Sequence, residues 1–373
     1  MEKHLHIVCL DVPYPVDYGG VFDLFHKIRL LHAAGVKVHL HCFEYGRGEQ
    51  PILNDYCVEV NYYERHEGHK GFSYKLPYIV CSRSNSQLLE RLLLDDYPIL
   101  LEGIHCTYLL NDPRFKDRNI VLRLLNVEYQ YYRHLYLSEK SLLKKIYYLH
   151  ESNLLRQYEH RIADKVRILA LSPKDSELYK QEFGAGDIDT LPVFLPFTAV
   201  NSKEGTGCFC LYHGNLSVAE NEQAVAWLLK KVFAPLEMPF IVSGKNPSPR
   251  LTKLIHQYPH VCLIADPTDE ELNDLISKAQ INILPSFNCT GIKLKLLNAL
   301  YNGRHCIVNK DAVEETGLEP LCHVVDSADA FQSLVTELSA KPFTREEIST
   351  RETILGKLFN QENNLQKLLH AIW

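Results

Sequence analysis

Residues 5–43 of the chain read LHIVCLDVPYPVDYGGVFDLFHKIRLLHAAGVKVHLHCF, and the fold can be inferred outward from them. The apolar run over residues 5–10 predicts a buried strand, and the loop after it leads into a helix predicted over residues 21–34. Gly35 ends that helix, and residues 36–43 predict a second strand. A strand, a helix and another strand in this order are typical of a parallel sheet with helices on both faces.

The same alternation continues along the rest of the chain. Further strands are predicted over residues 78–81, 99–101, 120–124, 166–171, 208–213, 240–243, 261–264, 281–284 and 306–308. Further helices are predicted over residues 141–161, 221–232, 269–279, 293–301 and, with an amphipathic pattern, 344–373. The predicted fold class is therefore α/β, with doubly wound parallel sheets.

A polar linker divides this alternation into two halves. At 373 residues the chain fits two domains of roughly 150–200 residues better than one. Two prolines precede the glycine-bearing stretch 201–207, which is the most polar one nearby. We expect a Rossmann-like domain over residues 1–200 and another over residues 206–355, with the ligand cleft between them. A last helix over residues 356–373 is expected to pack back across both domains.

Composition and charge exclude several classes of protein. The net charge of -6 provides no broad basic footprint, so we expect no nucleic-acid partner. The 11 cysteines include no CxxC pair, and many fall in apolar runs where a thiol behaves as a small hydrophobe, which fits a reducing compartment. No signal-peptide pattern opens the chain, and no run approaches the roughly 20 apolar residues of a membrane span. We therefore expect a cytoplasmic protein, at most peripheral to the inner membrane.

Four segments at the carboxyl ends of predicted strands are candidate ligand sites, because open α/β sheets bind ligands at that edge. The first loop contains Gly19 and Gly20 at the start of a helix, where backbone N–H groups and the helix dipole favour an anion. A tight turn that requires a positive φ angle explains the same two glycines. The pair by itself favours the tight turn.

The second loop, residues 288–300, leads into a helix whose first turn carries Lys293 and Lys295. Cations at a helix N-terminus oppose the helix dipole, so they are costly unless an anion is bound there. Backbone amides and two ammonium groups are the groups expected to hold a diphosphate. The alternative is a surface helix with unrelated lysines.

The other two segments, each made of two loops, give weaker signals. In the second domain, Gly214 permits close approach to a ligand, and Lys245 in the next loop can reach an anion. In the first domain, residues 102–105 and 123–128 follow two strands and offer polar groups to sugar hydroxyls. Because the chain has 18 histidines, a single one is more often structural than catalytic.

Together these segments resemble the GT-B glycosyltransferases, and in particular the retaining enzymes of family four, also called glycosyl transferases group 1. Residues 10–20 resemble the opening loop of that family, which contacts donor and acceptor. Residues 212–217 with Asn221 resemble the G-N-L-S…N opening of its donor domain, and residues 285–299 resemble its glycine-to-helix donor motif. The resemblance covers nearly the whole chain, and it implies two Rossmann-like domains facing a central cleft.

The resemblance also implies roles for individual residues. Those implied for catalysis are His105, Lys245 and Lys293. Those implied for donor binding are Gly19, Gly20, Gly214, Asn215, Ala265, Thr290, Gly291, Ile292, Leu294, Lys295 and Asn298. Those implied for acceptor binding are Tyr18, Glu102, Arg123, Asn126 and Glu128. No metal and no further cofactor is implied, since helix amides and lysines would stabilise the departing diphosphate.

The implied activity is transfer of a sugar, with retention, from a nucleotide-sugar donor to a glycan or lipid-linked acceptor, as in polysaccharide biosynthesis. The chain departs from the family pattern at three positions. Leu125 stands where the family has histidine, and Thr290 and Asn298 stand where many relatives have a pair of glutamates. Two alternatives therefore stay open: a non-catalytic GT-B partner subunit, and a nucleotide-sugar epimerase or phosphorylase on the same scaffold.

One further stretch, residues 129–161, is rich in aromatic and basic side chains. It is consistent with an acceptor platform, or with a patch that touches anionic lipid heads carrying a lipid-linked glycan. An ordinary amphipathic surface helix explains the same pattern, and the pattern alone slightly favours it.

Overall fold

The computed structural model describes residues 2–16, 19–287 and 293–373, with the backbone alone at residues 69 and 70. The chain forms two compact units, one made of Met1–Pro196 with Gln361–Trp373 and the other of Phe197–Asn360. The division falls a few residues from the boundaries expected at 200 and 356, and the last helix is part of the first unit. Among the described residues, no helix is both long and apolar enough to cross a membrane.

The first unit is built on a parallel sheet of seven strands. They are β1 His4–Cys9, β2 Lys37–Glu44, β3 Glu59–Glu64, β4 Ile99–Glu102, β5 Ile120–Arg123, β6 Arg167–Ala170 and β7 Ile188–Thr190. They lie in the order β3-β2-β1-β4-β5-β6-β7, and every neighbouring pair is parallel. The chain reverses its direction of winding between β1 and β4, and sheets of this kind bind ligands at that point, beyond the carboxyl ends of the strands.

Helices cover both faces of this sheet because both faces are apolar. The helices are α1 Gly19–Ala33, α2 Tyr78–Cys81, α3 Ser86–Leu92, α4 Glu128–Ser138, α5 Leu142–Ile162, α6 Pro173–Phe183 and, from the end of the chain, α14 Gln361–Ile372. Short 3-10 helices occupy Pro51–Asp55, Gly68–Gly71, Ile104–Asn111 and Pro113–Phe115. Successive strand residues point to opposite faces: Leu100 packs in the core with α1 and α14, and Leu101 in the core with α3, α5 and α6.

The second unit repeats this plan with six parallel strands. They are β8 Cys210–His213, β9 Phe240–Gly244, β10 Val261–Ala265, β11 Ile281–Ile283, β12 His305–Val308 and β13 His323–Val324, in the order β10-β9-β8-β11-β12-β13. Its helices are α7 Ala219–Trp227, α8 Pro249–Ile255, α9 Asp269–Lys278, α10 Leu294–Asn302, α11 Lys310–Val313, α12 Ala328–Ser339 and α13 Arg345–Leu358. A π-helical turn, Leu228–Phe233, continues α7, and a 3-10 turn occupies Glu319–Leu321. The predicted fold class, two doubly wound Rossmann-like domains, is confirmed.

The strand predicted over residues 78–81 is wrong, because these residues form α2. Pro77 enters the helix with φ at -56°, and the Tyr78 amide donates to the Glu151 carboxylate of α5 at 2.8 Å. A helix start needs such an acceptor, and this one comes from a distant part of the chain. Strands β3, β7 and β13 are additional to the predicted ones; β7 and β13 are too short for a periodic signal. The helix predicted over residues 344–373 is two helices, α13 and α14.

Candidate functional site

The carboxyl edge of the second sheet brings two predicted donor segments together. β8 leads into Gly214, which has a φ angle of +156°, and the first turn of α10 carries Lys295. A Cβ atom at Gly214 would lie 3.7 Å from Cδ of Lys295 and 3.4 Å from Nδ2 of Asn221. The loop after β8 and the start of α10 are therefore in contact.

Lys295 is held by two neutral side chains. Its Nζ donates to the Tyr212 hydroxyl at 3.0 Å and to Oδ1 of Asn221 at 2.9 Å, and lies 4.7 Å from the centroid of the Tyr212 ring. Tyr212 also donates to Oδ1 of Asn221 at 3.0 Å, so the three polar groups form a closed triangle. Within the described residues, Lys295 forms no ion pair with a carboxylate.

The electrostatics of this edge favour a bound anion. Burial, reinforced by the charge of Lys293, lowers the pKa of the Lys295 ammonium to about 7. Burial and then the charge of Lys295 lower the pKa of His213 to about 3, so this imidazole is neutral, and its Nε2 has no hydrogen-bond partner among the described residues. A partly deprotonated ammonium at the start of a helix, where the helix dipole also favours negative charge, is a site that an anion would stabilise.

A close backbone approach fixes the loop that carries Lys245. A Cβ atom at Gly244 would collide with the carbonyl oxygen of Gly214, so only glycine fits there. The Leu216 amide donates to the Lys245 carbonyl at 2.8 Å, which joins the two loops directly. The side chain of Lys245 is half-buried and forms no ion pair in the described part of the chain.

Two predicted donor-binding asparagines are engaged locally. Oδ1 of Asn215 accepts from the amide and the hydroxyl of Ser217 at 3.1 and 2.7 Å, which closes a turn. Oδ1 of Asn298 accepts from Nδ2 of Asn302 at 2.7 Å, one helical turn further on. Each asparagine therefore needs to exchange a local contact in order to bind a ligand through its side-chain oxygen.

The other predicted donor-binding residues lie at element ends. Lys293 precedes α10, Leu294 begins it, and both are half-buried. Ala265 is exposed at the end of β10. Gly19 and Gly20 are the first two residues of α1. The remaining predicted site residues lie outside the described residues: Tyr18, Thr290, Gly291 and Ile292.

The carboxyl edge of the first sheet places His105 beside Leu125. β4 turns through Gly103, with φ at +85°, into the 3-10 helix that contains His105. A Cβ atom at Gly103 would lie 3.2 Å from Nδ1 of His105 and 3.3 Å from Cδ1 of Leu125. Glycine is needed here both for its backbone conformation and for space.

His105 is a neutral imidazole at this edge. Burial, and then the charges of Arg83 and Arg65, hold the pKa of His105 well below its usual range. Its Nδ1 is sealed from solvent and has no hydrogen-bond partner among the described residues. Arg83 is itself fixed, because it donates to the carbonyl of Leu10 at 3.1 and 3.0 Å. The ring can therefore donate or accept a hydrogen bond, but it is a weak base.

Glu128 begins α4 as a protonated carboxyl group near neutral pH. Burial, with repulsion from Glu159, raises the pKa of Glu128 to about 8, although a hydrogen bond from Asn126 opposes the rise. Glu159 caps α4, accepting from the amides of Glu128 and Tyr129 at 3.0 Å each. The predicted acceptor residues Asn126 and Glu128 are thus hydrogen-bonded to each other.

Glu102 and Arg123, predicted to bind the acceptor, are turned inward instead. Nζ of Lys27 lies 2.7 Å from Glu102 and 3.0 Å from Asp23, and Nε of Arg123 lies 3.5 Å from the same Asp23 carboxylate. Glu102 is 1% exposed and Arg123 is 0% exposed. Because a buried charge needs such partners, these two residues join α1 to the sheet, and we withdraw their assignment to the acceptor.

Three residues of these edges were not among the predicted site residues: Tyr212, Asn221 and Arg83. Tyr212 and Asn221 did stand in the family-like opening of the second domain, which was the available signal. Arg83 reaches the Leu10 carbonyl across 73 residues, and no local pattern indicates that contact.

Solved structures share this fold. A mutant of TarM from S. aureus, in complex with fondaparinux, alpha-GlcNAc-glycerol and UDP, superposes with a TM-score of 0.68 at 10% identity, over 100% of both chains. HepE from Anabaena, in complex with UDP and glucose, gives 0.65 at 11% identity, over 99% of both chains. WaaG, a glycosyltransferase involved in lipopolysaccharide biosynthesis, gives 0.63 at 12% identity, over 98% of this chain and 99% of that one. The chain therefore has the GT-B fold.

Sequence comparisons match part of the chain to a protein family. Residues 208–340 match the family of glycosyl transferases group 1. An uncharacterized 44.6 kDa protein in the cps region of Klebsiella pneumoniae is 29% identical over 328 residues, which are 83% of this chain and 84% of that protein. The match to the group 1 glycosyltransferases therefore lies within the second unit, Phe197–Asn360.

Proposed function

We propose that the chain transfers a sugar from a nucleotide-sugar donor to a glycan or lipid-linked acceptor, with retention and without a metal at the donor. The Lys295 ammonium carries this proposal, because it is hydrogen-bonded by the neutral groups of Tyr212 and Asn221 and forms no ion pair with a carboxylate of the described residues; the charge of Glu220 acts on it only at longer range. A donor diphosphate would supply a directly bonded counter-charge. The neighbours TarM and HepE were solved with UDP, which favours UDP as the nucleotide.

The same groups account for leaving-group stabilisation. As the bond to the sugar breaks, negative charge grows on the departing diphosphate, and cations and helix amides held in advance stabilise it. Lys295 is held in advance by two hydrogen bonds, and Lys293 and Lys245 flank it in sequence and in the neighbouring loop. On the acceptor side, the neutral His105 offers a hydrogen bond to a sugar hydroxyl.

Calorimetric titration with UDP tests the donor site. The parent should bind UDP, and Lys295→Ala should weaken binding roughly 10- to 100-fold, as expected for loss of a charged hydrogen bond of about 1.5–3 kcal/mol. Lys278→Ala is the matched control, because Lys278 is an exposed lysine of the same unit that pairs with Asp274. Equal UDP affinity in all three proteins, or none in the parent, would contradict the proposal.

A binding protein without turnover is the second candidate, and the apolar side chain of Leu125 beside His105 favours it. Incubation with UDP-sugars and purified glycan acceptors separates the two. Release of UDP with a product whose anomeric configuration matches the donor supports retaining transfer. Tight UDP binding, with no UDP released from any of the UDP-sugars in the presence of any of the acceptors, supports the partner-subunit function.

We further propose that an exposed surface at the junction of α4 and α5 rests on an anionic membrane that carries the acceptor. Large apolar side chains stand in solvent there: Leu137, Leu142, Leu143 and Ile146 are 66%, 73%, 81% and 62% exposed. Lys140, Lys144 and Lys145 lie among them. Apolar side chains that enter the headgroup region, with lysines that contact acidic headgroups, are the composition of a membrane-surface site.

Vesicle cosedimentation tests this surface. The parent should sediment with vesicles that contain phosphatidylglycerol and much less with pure phosphatidylcholine. Leu142→Glu combined with Leu143→Glu should abolish sedimentation, whereas Leu94→Glu should not, since Leu94 is 80% exposed elsewhere in the same unit. Unchanged sedimentation of the double variant would rule the surface out.

A further inference from the structure

The amino edge of the second sheet, opposite to the donor site, carries a separate cluster of metal-ligating side chains. His305 and His323 are the first residues of the neighbouring strands β12 and β13, and Glu347 lies in the first turn of α13. One ligand atom from each residue lies within 4.8 Å of the other two. None of these residues belongs to the donor or acceptor edges.

The ring of His305 is oriented so that a lone pair faces a carboxylate. His305 is fully buried, and its Nε2 donates to the Lys341 carbonyl at 3.0 Å, so in the neutral ring Nδ1 bears the lone pair. Nδ1 has no hydrogen-bond partner among the described residues, and it lies 3.5 Å from Oε1 of Glu347. A lone pair and a carboxylate oxygen repel each other unless a proton or a metal cation lies between them, and burial disfavours the proton by lowering the pKa of His305.

Glu347 is oriented by the start of its own helix. Its Oε2 accepts from the amide and the hydroxyl of Thr344 at 2.8 and 2.9 Å, in the capping box that begins α13, and this turns Oε1 towards His305. Nδ1 of His305 is therefore oriented by the hydrogen bond that Nε2 of the same ring makes. Oε1 of Glu347 is oriented in the same way by the hydrogen bonds to Oε2. Proteins commonly orient metal ligands in this way.

We propose that His305, His323 and Glu347 bind a zinc ion. Two imidazoles and one carboxylate are a ligand set that Zn²⁺ takes, and its ligand distances of about 2.0–2.2 Å set neighbouring ligand atoms about 3.3 Å apart in a tetrahedral site. The pair formed by Nδ1 of His305 and Oε1 of Glu347, at 3.5 Å, is already close to that spacing. The ligand atom of His323 lies within 4.8 Å of the other two, and on zinc binding its imidazole would move towards them.

The surroundings provide a fourth position. The three residues line a cavity of about 230 Å³, which Cys306 and Cys322 also line and which has room for a water ligand. Arg351 lines it too, but its guanidinium donates to the carbonyls of Leu300, Gly303 and Arg304, which partly offset its charge. The ion would tie β12, β13 and α13 together, and so would stabilise the second unit without contributing to the donor site.

Competition with a chromophoric zinc chelator tests this site on chelator-treated, desalted full-length protein. The parent should bind one zinc ion, and zinc should raise its melting temperature. Glu347→Gln and His323→Ala should each weaken zinc binding by at least about tenfold. Glu346→Gln should bind zinc like the parent, because Glu346 lines the same cavity but is not one of the three residues whose ligand atoms lie within 4.8 Å of one another.

Glu347→Gln also controls for folding, since glutamine keeps the capping box and the metal-free variant should melt like the metal-free parent. Zinc affinity that is the same in the parent and in both ligand variants would overturn the proposal. So would a parent that takes up no zinc. UDP titration is independent of these outcomes, so failure here leaves the proposed function standing.

Discussion

The ammonium nitrogen of Lys295 lies 2.9 Å from the side-chain oxygen of Asn221, which precedes it by 74 residues. The amide group of Asn221 has only one orientation that fits, because its Nδ2 donates to the Asn215 carbonyl at 2.9 Å. The lysine is therefore hydrogen-bonded by a dipole and not neutralised by a charge. An asparagine in this position orients the ammonium group and leaves its charge available to a ligand.

Asn221→Asp should weaken UDP binding. The new carboxylate would pair with Lys295, raise the pKa of the ammonium and repel the diphosphate. We expect at least about a tenfold loss of UDP affinity by calorimetric titration, which corresponds to about 1.4 kcal/mol. Gln257→Glu adds the same charge after α8, towards the amino edge of the sheet, and should bind UDP like the parent. An Asn221→Asp variant that binds UDP as well as the parent would exclude Lys295 from the donor site.

Donor affinity should fall as the pH rises through about 7. The pKa of Lys295 is lowered to about 7, and a bound diphosphate favours the protonated amine, so above that pH binding requires uptake of one proton. The affinity for UDP-glucose, whose diphosphate does not titrate in this range, should fall by up to about tenfold per pH unit between 7 and 9. Lys295→Arg keeps its charge throughout and should give a flat profile. A parent profile that is also flat would show that Lys295 does not titrate on binding.

Most of the fold could be predicted from the sequence, because both sheets bury both of their faces. The resulting apolar runs are continuous, as in residues 99–101 and 120–124, and they stand out from the polar loops around them. The prediction was wrong at residues 78–81, where Tyr78 obtains a helix cap from Glu151. A short apolar run fits a strand or a buried helix equally well, and only the tertiary contact decides.

The site could be predicted less completely, because charge compensation depends on contacts between distant residues. Lys295 and Gly214 were identified from the sequence, whereas the partners that orient Lys295 became visible only in the structure. Glu102 and Arg123 stand at the carboxyl ends of strands as site residues do, yet both are buried with α1. Polarity at a strand end does not distinguish a ligand contact from an interior ion pair, since both use the same residue types.

Lys27→Met should strongly destabilise the first unit. Lys27 is fully buried between the carboxylates of Asp23 and Glu102, and its removal leaves Arg123, which pairs with Asp23, as the remaining cation that the described residues place in this network. Breaking a buried ion network by removing one partner costs about 3–5 kcal/mol, which should appear as a lower urea-unfolding midpoint. Arg167→Met breaks an exposed pair with Asp187 and should cost less than about 1 kcal/mol. Similar midpoints for the two variants would contradict this account of the network.

Glu128→Gln should stabilise the protein at pH 8 and leave its stability nearly unchanged at pH 4.5. The pKa of Glu128 is raised from 4.5 to about 8 by burial and by Glu159, so the folded state holds a proton that the unfolded state releases. This contribution to stability is complete below the unfolded pKa and is lost as the pH rises through the folded pKa.

At pH 7 Glu128 lowers the free energy of unfolding by roughly 3 kcal/mol compared with low pH, since each pKa unit corresponds to about 1.4 kcal/mol. Glutamine does not titrate and can keep the hydrogen bond to Asn126, so the variant avoids the loss. Urea-unfolding midpoints across pH 4.5–8 should therefore separate from those of the parent as the pH rises. Glu67→Gln, a change at an exposed glutamate of the same unit, should track the parent at every pH. If Glu128→Gln also tracks the parent, Glu128 is ionised in the folded protein. Another group must then offset the repulsion between the charges of Glu128 and Glu159.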